Sequence, residues 1–189
     1  MKTWSCPKKQ TARAQTILSQ PKPINQYWSM AGLCTTKGCE VDQLLDAGFI
    51  EQGQFHGVER VQGIYERNVA AHPNLNWHHG DFFQVMRQYP DFNPSLVNAD
   101  LMTSVDRSAD FVARLIGLLT PFDATLIVNF VMKCRGYKTT VDHVLTRLAK
   151  CQQFRHAIHH GWTHDGRCYL YPGTGKSNTV MGTFAFQSA

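Results

Sequence analysis

The sequence predicts an α/β protein with a three-layer α/β/α fold, doubly wound around a mostly parallel sheet that ends in an antiparallel C-terminal hairpin. Three observations predict it. From Tyr27 to about Lys150, short apolar runs alternate with amphipathic helical stretches, the pattern of strands joined by crossover helices. One run, Ala124 to Val131, is almost wholly apolar and rich in β-branched residues, as a central strand covered on both faces requires. Beyond Cys151 the rhythm changes to two strand-like segments around a turn-rich stretch, which signals a hairpin.

The elements follow in order. Residues 1–25 carry Lys2, Lys8, Lys9, Arg13 and Lys22, interrupted by Pro7, Pro21 and Pro23, and predict a basic, solvated arm before one domain spanning 26–189. The first strand is Tyr27 to Ala31. A loop from Gly32 to Gly38 leads to a helix with Val41, Leu44 and Leu45 on one face, stopping near Gly48. The second strand, Phe55 to Glu59, runs into a helix whose Val61, Ile64, Tyr65 and Val69 repeat at helical spacing before Pro73. Leu75 to His78 is the third strand, and Phe82, Phe83, Val85 and Met86 mark a short helix. The fourth strand, Ser95 to Ala99, precedes the clearest helix, with Phe111, Val112, Leu115, Ile116 and Leu119 in one stripe. After the fifth strand, a helix with Val141, Val144, Leu145 and Leu148 is capped by Thr139 or Thr140. Arg167 to Tyr171 and Thr179 to Phe186 form the hairpin, joined through 172–178.

A chain of 189 residues buries roughly 70% of its unfolded surface, enough for a core without disulfides or metals. With 43% hydrophobic and 17% charged residues it is neither a disordered chain nor a coiled coil. The net charge of +5 favours an anionic partner, nucleic acid or another phosphorylated molecule, without requiring one. No apolar run approaches a membrane span, and no apolar stretch follows the N-terminal charges as a signal peptide would need, so a cytoplasmic location is expected. The six cysteines form no C-x-x-C pair, which removes the zinc-ribbon and thioredoxin patterns; no metal is expected.

In an open parallel sheet, ligands bind outside the carboxyl ends of the strands. The residues that follow each strand are therefore the candidates. After the first comes Gly32-Leu33-Cys34-Thr35-Thr36-Lys37-Gly38, whose glycines let a ligand approach the backbone at a helix N-terminus. After the second comes Glu59, about 20 residues past Gly38, where a nucleotide-binding unit places the carboxylate that accepts both ribose hydroxyls. After the third comes Gly80-Asp81-Phe82, an acid able to accept an exocyclic amino group beside an aromatic ring. After the fourth comes Asn98-Ala99-Asp100. An acid at a strand end is also a common helix cap, so the weight rests on four such sites in order.

Gly57-Val58-Glu59-Arg60, followed by a helix and then His79-Gly80-Asp81-Phe82, resembles the Rossmann-like class I S-adenosylmethionine-dependent methyltransferases, and the resemblance extends from Trp28 to about Lys150 and through the hairpin to Phe186. It implies a seven-stranded sheet whose last, antiparallel strand is inserted by the terminal hairpin. It implies S-adenosylmethionine as cofactor, with Ala31, Gly32, Cys34, Thr35, Thr36 and Gly38 around the methionine part, Glu59 and Arg60 at the ribose, and Gly80, Asp81 and Phe82 at the adenine. Asn98 to Met102 fall on the family's fourth motif beside the methyl group, which makes Asn98 and Asp100 the candidate catalytic residues. Asp100 acts there as a base or orients the acceptor, since the transfer mainly needs in-line placement; equally, both residues hold the loop. Two departures stand out. Ser29 and Met30, not an acid, precede Ala31-Gly32, and the next glycine is Gly38. The fourth motif lacks the two prolines and aromatic of base amino-group enzymes, and no proline-preceded cysteine serves cytosine C5 chemistry. The reading is a methyltransferase with an unidentified acceptor, nucleic acid or a small phosphorylated metabolite. The alternative is an inactive module of that fold that binds a nucleotide-like ligand or nucleic acid.

Two features read as decoys. Gly173-Thr174-Gly175-Lys176-Ser177 resembles the end of a P-loop, but Leu170 stands where its first glycine belongs and a hairpin turn fits better. His156, His159, His160 and His164 would share a metal-binding face only on an unbroken helix, which Gly161 interrupts; the other reading places them, with Arg155 and Arg167, along the substrate cleft.

Overall fold

A computed structural model describes residues 17, 24–30, 40–134, 137–172 and 180–188. The strands are β1 (Tyr27–Met30), β2 (Phe55–Glu59), β3 (Asn76–His79), β4 (Leu96–Thr103), β5 (Thr125–Cys134), β6 (Tyr137–Lys138), β7 (Thr163–Pro172) and β8 (Val180–Gln187). The helices are α1 (Glu40–Asp46), α2 (Gln62–Ala71), α3 (Phe82–Gln88), α4 (Val105–Leu119), α5 (Val141–Ala149) and α6 (Gln152–His159). The main path of the sheet runs β3-β2-β1-β4-β5-β8-β7, with β6 beside the end of β5. β1 to β5 are parallel, and β8, antiparallel to both neighbours, lies between β5 and β7. The doubly wound fold with its terminal hairpin is thus present.

Two cores make the three layers. α3, α4, α5 and α6 close the larger one over Trp28, Val58, Val97, Leu126, Val128 and Phe184. Residues 105, 109, 112, 116 and 119 of α4 are all buried, the stripe that holds this helix against the sheet. On the other face, α1 delivers Val41 and Leu44 to Tyr27, Phe55, Leu96 and Ile127. Ile17 joins this core, helical and fully buried, so the solvated arm expected over 1–25 does not extend to that residue. α2 lies over the edge of the sheet, and its expected apolar stripe is only partly covered: Val61 is 48% exposed, and Asn68 is the helix's one fully buried residue.

Local chemistry matches the expected boundaries at α5, where the Thr140 hydroxyl accepts the His143 N–H, and at α1, which ends before Gly48 at φ 66°. Both long central strands outrun their expected ends. β4 continues to Thr103 across a register shift, and β5 continues to Cys134 because β6 supplies a partner. The apolar run marks only where a strand is buried on both faces, not how far it keeps a neighbour.

Trp28, His56 and His78 form a layered group across β1, β2 and β3. The two imidazoles are edge to edge, Nδ1 of His56 and Nε2 of His78 being 3.1 Å apart with ring planes 8° apart, and both lie parallel to the indole. Tyr89 meets all three at a steep angle. Burial, with the neighbouring His78 adding to it, lowers the His56 pKa to about 4, and burial lowers that of His78 as well. Among the described residues, no helix is long and apolar enough to cross a membrane.

Candidate functional site at the carboxyl edge of the sheet

Glu59 ends β2 with its side chain buried. A carboxylate out of water requires a donor, and Val61 N–H supplies one to Oε1 at 2.7 Å, folding Glu59-Arg60-Val61 around the charge. The Glu59 carbonyl accepts the Gly80 N–H at 3.1 Å. A second link lies beside it, where Nε2 of His79 is 3.1 Å from the Arg60 carbonyl; since a carbonyl only accepts, this contact selects the Nε2–H tautomer. The turns after β2 and β3 are therefore joined. This pair of links is absent from the sequence reading, because the two stretches of sequence do not show that a backbone carbonyl of one turn accepts from the other.

Gly80 has φ 145°, a conformation that disfavours any side chain, and it turns the strand into α3. Asp81 caps that helix, its Oδ1 accepting from Phe83 N–H at 3.0 Å and Gln84 N–H at 3.1 Å. Asp81 is exposed, and among the described residues its Oδ2 makes no hydrogen bond. Phe82, expected over a base ring, points instead into the larger core and is 5% exposed. The helix stripe claims it: residues 82, 83 and 86 are all buried on α3.

Asn98, inside the strand expected over Ser95 to Ala99, lies within β4 and is 1% exposed. Its Nδ2 reaches the Tyr27 hydroxyl at 3.3 Å and the Ser29 hydroxyl at 3.4 Å, and its Oδ1 accepts from Asn129 Nδ2 at 3.5 Å. Asn129 Oδ1 in turn accepts from the Thr183 hydroxyl at 2.6 Å. This polar row crosses β1, β4, β5 and β8, so the Asn98 amide holds strands together. Asp100 lies two residues on, half-buried, paired in register with Asn129 and next to the irregular end of β4. Ala31, Gly32, Cys34, Thr35, Thr36 and Gly38 lie outside the described residues, as does the Met102 side chain. The flanks of that loop, Met30 and Glu40, end β1 and begin α1.

No family model matches the sequence, and no curated protein matches it. Solved structures do match. N-methyltransferase NodS from Bradyrhizobium japonicum, in complex with S-adenosyl-L-homocysteine, aligns over 96% of this chain and 86% of its own, with a TM-score of 0.59 and 10% identity. Magnesium protoporphyrin IX methyltransferase from Synechocystis, with bound SAM, aligns over 97% and 81%, with a TM-score of 0.59 and 13% identity. A protein of the NADB-Rossmann superfamily from Streptococcus agalactiae covers 100% of this chain and 71% of its own, at 0.59 and 14%. The chain shares the Rossmann-like α/β fold of these structures.

In this fold the register of the hairpin assigns each cluster to an edge. Thr163 pairs with Gln187, Gln187 with Thr125 and Thr125 with Leu96, all at the amino ends of the parallel strands. The end of α6 and the start of β7 therefore lie at the edge opposite Glu59. That removes His156, His159, His160 and His164 from the cleft at the carboxyl edge. His156 and His160 contact each other at 4.3 Å on α6, while His164 has moved to β7 against Phe184 and Phe186. Asp106, in the first turn of α4, receives His143 Nε2 at 3.2 Å and Arg147 Nε at 3.0 Å from α5, an exposed tie between the helices.

Proposed function

We propose that the chain is an S-adenosylmethionine-dependent methyltransferase acting on a nucleic acid or a small phosphorylated acceptor. The observation that carries the reading is Glu59, a buried carboxylate at the end of β2 with one oxygen held by Val61 N–H and the turn after β3 linked to its carbonyl. A buried charge fixed this way fits a ligand with paired hydroxyls, because the oxygen left over gains from donors that water cannot easily replace. The S-adenosyl-L-homocysteine bound to NodS and the SAM bound to the magnesium protoporphyrin IX enzyme support the same assignment.

In this reading Glu59 and Arg60 hold the ribose, Gly80 and the free oxygen of Asp81 take the adenine amino group, and the loop at 31–38 takes the methionine part. The cofactor supplies a methyl group on a sulfonium centre. Asp100, half-buried at the same edge of the sheet, would orient the acceptor or take its proton, and Asn98 would support it by fixing β4 against β1 and β5. Phe82 supports the adenine side from the core.

Calorimetry with S-adenosylmethionine and S-adenosylhomocysteine tests the assignment. Glu59→Ala is expected to weaken both by about 1 to 3 kcal/mol. Absence of binding to the wild-type chain would remove the cofactor. A tritiated-methyl screen against RNA, DNA and phosphorylated metabolites then identifies the acceptor, and Asp100→Ala separates turnover from binding.

A further inference from the structure

β5 runs past the end of β4. Its last pairing with β4 is Phe130 with Thr103, while β8 occupies the other flank as far as Lys133 opposite Val180. β6 must therefore pair on the flank that β4 has vacated, which places this short strand over the end of β4, at the edge that carries Glu59 and Asp100. The register sets Lys138 directly across from Lys133. Thr139 N–H donates to the Met132 carbonyl at 2.8 Å, so that row is hydrogen-bonded and the lysine row is the alternate one. In the alternate rows of an antiparallel pair the Cα atoms are about 4.5 Å apart and side chains approach most closely.

Both lysines are exposed, and neither has an ion pair among the described residues. Like charges directly opposed in such a pair repel, and a shared anion reverses the sign of the interaction. Lys133 stands four positions beyond Asn129, the partner of Asp100, which is about 13 Å along the strand. A phosphate and a reacting atom within one nucleotide-sized acceptor span that length. We propose that Lys133 and Lys138 clamp a phosphate group of the acceptor while its reacting atom lies at Asp100. This rests on the methyltransferase reading above, and the test separates the two.

The probes are a short single-stranded RNA and inorganic pyrophosphate, titrated into the protein saturated with S-adenosylhomocysteine, for the wild type and for K133Q/K138Q. Cofactor binding and the thermal midpoint of the variant report its fold, since both side chains are exposed. If the phosphate belongs to a polynucleotide, RNA binds and the slope of log affinity against log salt falls by about 1.4 in the variant, two contacts' worth for a single strand. If it belongs to a small molecule, pyrophosphate binds, RNA does not, and the variant loses about tenfold or more. Failure of both probes to bind the wild type, or equal binding to wild type and variant, overturns the clamp. Failure of S-adenosylhomocysteine alone overturns the cofactor reading, and the two phosphate titrations are still read without it.

Discussion

Glu59 and Asp81 are both acids at strand ends, and they commit their oxygens differently. Glu59 is buried with a single backbone donor, whereas one oxygen of Asp81 already takes two N–H groups as a helix cap. The two roles of Asp81 can be separated by substitution. Asp81→Ala should lower stability by about 1 kcal/mol by uncapping α3, whereas Asp81→Asn, itself a good cap, should leave the unfolding midpoint nearly unchanged. Cofactor calorimetry on Asp81→Asn then isolates the adenine contact, because an amide and a carboxylate differ toward an exocyclic amine; unchanged affinity would confine Asp81 to capping. Gly57 is a residue-scale constraint of another kind. A Cβ there would fall 2.3 Å from the Trp77 ring, so Gly57→Ala should cost about 1 to 3 kcal/mol or more in denaturant unfolding. The place of Glu59 at the end of β2 was legible in the sequence, because a short apolar run and where it stops are local facts. The burial of Asn98 was not, since it depends on Tyr27, Ser29 and Asn129 from two other strands.

At the scale of elements, β2 and β3 are coupled to β1 through His56, His78 and Trp28, and the coupling has a pH signature. In the unfolded chain a histidine titrates near 6.5, but in the folded chain burial holds His56 down to about 4 and lowers His78 too. The unfolded state therefore binds more protons between those values. Stability is complete above pH 6.5, falls as pH drops through that window, and the loss ceases below the folded pKa. His56 alone accounts for about 2 to 3 kcal/mol of this loss. Urea unfolding followed from pH 7 to pH 4.5 measures it, and His56→Phe/His78→Phe should flatten the slope; an equally steep slope in that variant would assign the acid sensitivity to other groups. The same pair shows why elements are only partly legible. Period and apolar runs located β2 and α4 closely, but the reach of β4 and β5 depends on which neighbour each strand finds. β6 is two residues long, too short for any period to register.

For the whole molecule, the order of the strands follows from physical rules that a sequence can carry: alternation forces crossovers, crossovers are right-handed, and a terminal hairpin must be antiparallel. Those rules alone do not specify where the hairpin enters; the resemblance implied an inserted last strand, and the sheet has it. That β8 rather than β7 lies against β5 comes from its burial, with 181–186 all buried, while β7 carries exposed Leu170 at the sheet edge. This insertion decides which end of the hairpin meets the cleft, and it sends the histidine cluster to the far edge. It also joins the site to the whole fold, because the polar row from Tyr27 to Thr183 runs from β1 through to β8. Ligand binding at the carboxyl edge should therefore be felt as global stability. S-adenosylhomocysteine at about a hundred times its dissociation constant adds about 2.7 kcal/mol, which for a chain of this length raises the thermal midpoint by about 5 to 10 °C. At the same ligand concentration Glu59→Ala should lose about a third or more of that rise, whereas K133Q/K138Q should keep it, since the lysines serve the acceptor and not the cofactor. A midpoint that does not move for the wild-type chain would mean that the folded state gains nothing from the cofactor, and the assignment of the carboxyl edge would fall with it.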